Sequence, residues 1–213
     1  MNDVKGKAGP GTRRAQQAQA TRRRITDQAL ELFLRQGYAA TTLDQIAASA
    51  GVAVQTVYFH FRNKATVLKE VVDVLAAGDD EPVPMLGRPW VRRAYDEPDP
   101  RRAMAIWIRA GRTIFERIAP IMKSVRDAAG SDPEMAAQWQ ANQQQTHLAQ
   151  REFARQLASR HALRPRLSAD RAADILFCTQ SIEVYLKATT ECGWTPSQWQ
   201  RWVTETLVTT ILR

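Results

Sequence analysis

A chain of 213 residues with 44% hydrophobic content is long enough to bury a core, which excludes intrinsic disorder over most of its length and allows one ordinary domain or two small ones. Thirty Lys and Arg stand against 22 Asp and Glu, and the net charge of +8 favours an anionic partner such as nucleic acid or an acidic membrane surface. No run approaches the roughly 20 consecutive apolar residues of a spanning helix, and no apolar stretch near the N-terminus reads as a signal peptide, so a soluble cytoplasmic protein is expected.

The charge is uneven: residues 1–77 hold 11 basic and 6 acidic side chains, whereas residues 78–213 hold 19 and 16. The anion-binding end is therefore expected to be the N-terminal one. Residues 1–20 are rich in Gly, Gln, Ala, Lys and Arg without apolar periodicity, and Pro10-Gly11 reads as a break, so a mobile basic arm is predicted. From Thr21 to Gln36 Ile25, Ala29, Leu32 and Phe33 recur at helical spacing, with Gly37 where a C-terminal cap belongs. The Arg22-Arg23-Arg24 run at its start reads either as a solvated face or as a phosphate or minor-groove contact.

A second helix begins after Thr42, whose hydroxyl can accept from the first-turn N–H groups, and carries Leu43, Ile46, Ala47 and Ala50 up to Gly51. A third runs over Val54 to His60. A fourth, with Asn63 as its N-cap, carries Val67, Leu68, Val71, Val72 and Leu75 to Ala77. Residues 78–100 contain prolines at 82, 84, 89, 98 and 100 and are read as irregular, with one helical turn near Trp90 to Tyr95. Arg101 to Ile118 forms the next helix, Pro120 opens a shorter one ending near Gly130, and Pro133 to Arg160 is long and amphipathic. Ser168 caps a helix that Gly193 terminates, and Thr195-Pro196-Ser197-Gln198 is a capping box that opens the last. The pattern is all-α, about nine helices, divided into an arm (1–20), a helix-turn-helix domain (21–66) and a helical domain (67–213).

Two short helices separated by a glycine turn, with the small Ala47 where they cross and Ile46, Val52 and Val57 placed for burial, make a helix-turn-helix. Thr41-Thr42-Leu43, Ile46-Ala47, Gly51-Val52, Thr56-Val57-Tyr58-Phe59-His60-Phe61 and Asn63-Lys64 resemble the TetR family of bacterial transcriptional regulators, a resemblance that covers about residues 21–70. It implies that the third helix enters the major groove of a double-stranded DNA operator. Gln55 then forms a bidentate pair with adenine, Val54 meets a thymine methyl and Thr56 a base edge or phosphate. Thr42, Tyr58, His60 and Lys64 meet backbone phosphates, and Phe61 is core. Many relatives carry Gly at position 55 and Tyr at position 60, so Gln55 argues for an operator of its own.

In the second half the resemblance implies a small-molecule effector and a homodimer. Met104, Trp107, Ile108, Phe115, Met122, Trp139 and Phe177 supply an adaptable apolar lining, and Gln143, His147, Gln180 and Ser181 supply groups to orient a ligand, each of which also fits plain core. The last two helices have wide apolar faces, with Ile175, Ile182, Leu186, Trp199, Trp202 and Leu207 expected at a four-helix bundle across a two-fold axis. His60, His147 and His161 are scattered, and neither a phosphate-cradling glycine loop nor a nucleophile with its base is found, so no catalytic residue, metal or cofactor is assigned. Cys178 and Cys192 are read as free thiols. The rival readings are a helical enzyme and a nucleic-acid binder that uses the basic arm without sequence preference.

Overall fold

The computed structural model describes residues 10–81 and 83–213, and among them every regular element is helical, with one isolated bridge joining Leu163 to Leu212. The chain forms two compact units that divide after Asp73, later than the boundary at residue 66 expected from the pattern.

In the first unit, α1 (Pro10–Gln36) buries Ile25, Ala29, Leu32 and Phe33. It begins at Pro10 rather than Thr21, so residues 10–20 of the expected mobile arm are helical. Proline at the first helical position loses no hydrogen bond, because that N–H has no intrahelical partner anyway. Residues 1–9 of that arm lie outside the described residues. α2 (Leu43–Ala50) packs on α1 and α3 (Val54–Phe61), and α4 (Lys64–Ala77) leads from this unit into the next.

The second unit adds α5 (Pro89–Asp96), α6 (Pro100–Ala128), α7 (Pro133–Ser159), α8 (Ala169–Thr179), α9 (Ile182–Leu186) and α10 (Pro196–Ile211). With α8 and α9 taken as one broken rod, the α-helices among the described residues make the expected nine. α5 is two turns rather than one, opened by Pro89. α6 runs through Pro120, where a break was predicted. An interior proline costs about 3 kcal/mol, and the burial of Phe115, Ile118, Ala119, Ile121, Met122 and Val125 on both sides of it offsets that cost at about 1.5–3 kcal/mol per large side chain.

The rod expected from Ser168 to Gly193 is broken at Gln180 and Ser181. Ser181 recaps the chain by accepting from Val184 N–H, and a π-turn over Lys187–Glu191 follows α9. The break has a cause in the core. Trp107 Nε1–H donates to Gln150 Oε1 at 2.9 Å, and Gln150 Nε2–H donates to Gln180 Oε1 at 3.2 Å, so Gln180 is drawn inward. There its amide lies over Gly111 of α6, where an added Cβ would stand 1.8 Å from Gln180 Nε2.

Ile182, Leu186, Trp199 and Leu207, expected between subunits, are buried within one chain. Trp199 sits among Phe115 and Tyr185, with ring centroids at 5.6 and 5.2 Å. Apolar width on the last helices is thus spent largely on the protomer's own core. Gly111→Ala is expected to force the Gln150–Gln180 hydrogen bond apart and to lower stability by about 1–3 kcal/mol, read as a shift of the urea midpoint. An unshifted midpoint would mean that Gln180 moves aside freely.

Candidate nucleic-acid interface and helical-domain core

α2 is fastened at both ends. Thr42 Oγ1 accepts from Gln45 N–H while Gln45 Oε1 accepts from Thr42 N–H, a reciprocal capping box. Gly51 closes the helix at φ +64°, a conformation that costs a side-chain-bearing residue about 1–2 kcal/mol, and its N–H reaches Ala47 and Ala48 carbonyls. The chain then enters α3 within two residues. This is the helix-turn-helix that the sequence announces.

α3 buries Val57 and Phe61 completely and turns its opposite face outward. Gln55, Tyr58 and Phe59 are exposed, Val54, Thr56 and His60 half-buried. Thr42 is exposed as well, and with its oxygen accepting from Gln45 its O–H remains able to donate. The expected base- and phosphate-facing residues other than Lys64 therefore have surface available. Phe59 was left out of that set, although its spacing of four from Gln55 puts both on one helix face.

Lys64, expected near phosphate, and Arg22, for which phosphate contact was one of two readings, are both held within the protein. Arg22 grips Glu70 with Nε and Nη2, each at 2.7 Å, donates from Nη1 to His60 O at 3.3 Å, and lies 4.6 Å from the Phe61 ring centre. Its bond to Glu70 raises its pKa further, against the opposing effect of burial. Lys64 Nζ donates to the Tyr38 and Thr41 carbonyls at 2.8 and 2.9 Å and stands 4.1 Å above the Tyr38 ring. Tyr38 and Thr41 are buried, so Lys64 satisfies carbonyls that water does not reach. The reason lies in the turn after α1, which presents those carbonyls at the start of α4.

Lys64→Ala is accordingly expected to cost about 1–3 kcal/mol of stability by leaving two acceptors unpaired, measured by denaturant unfolding. His60 offers a second test. Burial, and then the Arg22 charge, hold its pKa below the ordinary value of 6.5. Between the folded and unfolded values the unfolded chain binds the extra proton, so the stability conferred by neutral His60 is present above that ordinary value and lost as pH falls through the folded one. The urea midpoint should decline on acidification below about pH 6.5, and less so in His60→Gln. Parallel curves for the two proteins would refute the assignment.

In the second unit the expected effector-lining residues fall into two groups. Met104, Trp107, Ile108, Phe115 and Met122 are buried core, with Trp107 stacked on Phe153 at a centroid distance of 4.3 Å and an interplanar angle of 2°. Trp139, Gln143, His147 and Phe177 are half-buried, and Gln180 and Ser181 are buried. Gln143 Nε2–H donates to Glu183 Oε1 at 2.6 Å, while His147 lies 3.3 Å from Asp174 Oδ1 and packs on the Phe177 ring. Trp199 Nε1 and Glu183 Oε2 are buried without a hydrogen-bond partner. A separate surface cleft is lined by Arg101, Arg164, Pro165, Val208, Thr209, Leu212 and Arg213, none of them among the expected effector residues.

Comparison with known proteins follows the same division. Residues 25–71 match the family model described as bacterial regulatory proteins, tetR family. The transcriptional regulator SrpR of Pseudomonas putida is 52% identical over 58 residues, which are 27% of this chain and 27% of SrpR's own length. TtgR, also of Pseudomonas putida, is 37% identical over 92 residues, 43% of this chain and 41% of its own. Among solved structures, the triclosan complex of SmeT, from Stenotrophomonas maltophilia, superposes with a TM-score of 0.72 at 23% identity over 91% of this chain and 92% of that one. NalD of Pseudomonas aeruginosa gives 0.68 at 20% identity over 92% and 98%. At these identities the structural likeness is one of fold: an N-terminal helix-turn-helix followed by a helical domain.

Proposed function

We propose that this chain, whose residues 25–71 match the family model described as bacterial regulatory proteins, tetR family, is a homodimeric transcriptional regulator, a repressor that a small, largely apolar effector releases from a palindromic operator. The observation that carries this reading is α3, an eight-residue helix packed on α2 whose inner face is core and whose outer face presents Gln55 to solvent. The relatives it resembles are transcriptional regulators rather than enzymes. Gln55 pairs with an adenine edge, Val54 and Thr56 flank it, and Thr42, Tyr58 and His60 meet phosphates from either side. Operator DNA as partner puts the protein's work in the cytoplasm, and no helix among the described residues is long and apolar enough to cross a membrane.

Repression and release rest on further support. SmeT and NalD are each described as repressors of multidrug efflux pumps, and SmeT has been solved with triclosan. In this chain Trp107, Phe115 and Phe177 are the aromatic residues assigned to apolar effector contacts, and Trp199 Nε1 and Glu183 Oε2 are two of the buried polar atoms that have no hydrogen-bond partner for an effector to compete with. Release requires tighter binding to the DNA-incompetent state; a hundredfold preference is about 2.7 kcal/mol per site. For the second copy, Trp202, 39% exposed beside Trp194, and the half-buried Ile175 are the expected interface residues that keep free surface.

Selection from random duplex DNA with the full chain tests the reading. A palindrome with half-sites about 34–36 Å apart or a multiple of that is expected. Enrichment without any sequence preference would instead indicate the non-specific binder. Gln55→Ala should cost about 1–3 kcal/mol at the selected site and relax one base position per half-site. Trp202→Asp should dissociate the dimer in sedimentation while the fold persists, and a variant that stays dimeric would exclude Trp202 from the interface.

A further inference from the structure

Phe59 is the most exposed large hydrophobic residue described, at 84%, and it stands on the one helix that the regulator reading sends into DNA. Its exposure follows from the helix itself. Val57 and Phe61 take the buried face, so Phe59 falls opposite them and directly one turn beyond Gln55. Tyr58, 51% exposed, lies beside it, and the His60 ring meets the Phe59 ring edge-on at 5.4 Å and 78°. An exposed benzyl group gains nothing from water, and a charged residue there would leave the core untouched.

The surroundings decide what covers the ring. Arg62, three residues on in sequence, is exposed, and Arg13, Arg14 and Arg24 add exposed positive charge to the same unit. Residues 1–77 carry 11 basic against 6 acidic side chains, so a second copy of this surface would repel. A polyanion is attracted. Among the groups that duplex DNA displays in its major groove, the apolar one is the 5-methyl of thymine; the remaining edge atoms are donors and acceptors that a phenyl ring cannot satisfy.

We propose that Phe59 reads a thymine through its 5-methyl group, at a base position adjoining the one that Gln55 reads. The inference rests on the DNA-regulator reading and adds a second, apolar determinant to it. Gln55 discriminates by hydrogen bonds, while Phe59 discriminates by burying a methyl group that cytosine and uracil lack. The His60 ring lies edge-on against one side of the Phe59 ring and leaves the rest of it open to a base.

The test uses the motif selected by the full chain. Each thymine in a half-site is replaced in turn by deoxyuridine, which removes the methyl and keeps the pairing, and affinities are measured for the wild type, Phe59→Ala and Phe59→Leu. At one thymine position the wild type should lose about fourfold per half-site, the worth of one buried methyl, while Phe59→Ala should lose nothing further there and Phe59→Leu an intermediate amount. Thermal midpoints close to wild type are expected for both variants, because the side chain is outside the core. Additive losses at every thymine, or a wild type indifferent to every deoxyuridine, overturn the methyl contact and leave the regulator reading standing. A selection that enriches no motif overturns both.

Discussion

A helix of eight residues does not hold itself together in water, since its nucleation cost is spread over too few hydrogen bonds. The orientation of α3 must therefore come from what grips it. Val57 and Phe61 supply most of the free energy, at about 1.5–3 kcal/mol for each buried side chain. The direction comes from Arg22. One guanidinium on α1 binds the Glu70 carboxylate of α4 through two parallel bonds, donates a third to the last-turn carbonyl of His60, and covers the Phe61 ring. The pair is partly open to solvent, and exposed ion pairs are worth only about 0–1 kcal/mol, so its contribution is angular more than energetic. A bidentate fork fixes a plane, and that plane relates three helices.

The helical unit uses the same device in a drier place. Trp107, Gln150 and Gln180 form a buried chain of donors and acceptors among apolar neighbours, and Gly111 keeps room for its far end. Such a chain adds little net stability when complete and costs much when incomplete, so it selects one packing out of the many that an apolar core tolerates. Here the selected packing breaks the rod between α8 and α9. The break leaves Ser181 at the N-terminus of a new helix, and its hydroxyl caps it.

Much of this was legible beforehand because it is local. The cap at Thr42, the capping box at Thr195, the cap at Asn63 and the turn at Gly51 depend on a few consecutive residues, and the structure has each of them. What could not be read depends on partners distant in sequence. Trp199 and Trp202 look alike in a periodic pattern, yet one is fully buried among Phe115 and Tyr185 and the other is open; apolarity reports burial without saying whether it is within a chain or between two. Pro10 and Pro120 were read as breaks, but the first occupies a position that needs no N–H and the second is outweighed by the core on its flanks. Lys64 was assigned by its place in a motif, and only the fold shows which carbonyls it meets.

α4 is where these fasteners meet one chain segment. Its first residue, Lys64, is tied through its ammonium to the turn after α1, and its central Glu70 is held by Arg22. At its other end the Ala76 carbonyl accepts from Arg117 Nη2 of α6 at 2.9 Å, and Gly78 is the residue that lets the guanidinium pass, since a Cβ there would stand 1.8 Å from Arg117 Nη1. Asp79 faces both Arg88 and Arg117; the Arg88 bond holds its carboxylate below the usual range, while burial lowers the Arg117 pKa against the pull of Asp79. The C-terminal end of α4 is thus clamped by charge to the helix that carries Trp107 and Phe115, and the N-terminal end is clamped to the helices that frame α3. The Ala76 carbonyl lies in the last turn of α4, where it has no intrahelical partner, and the Arg117 guanidinium supplies one.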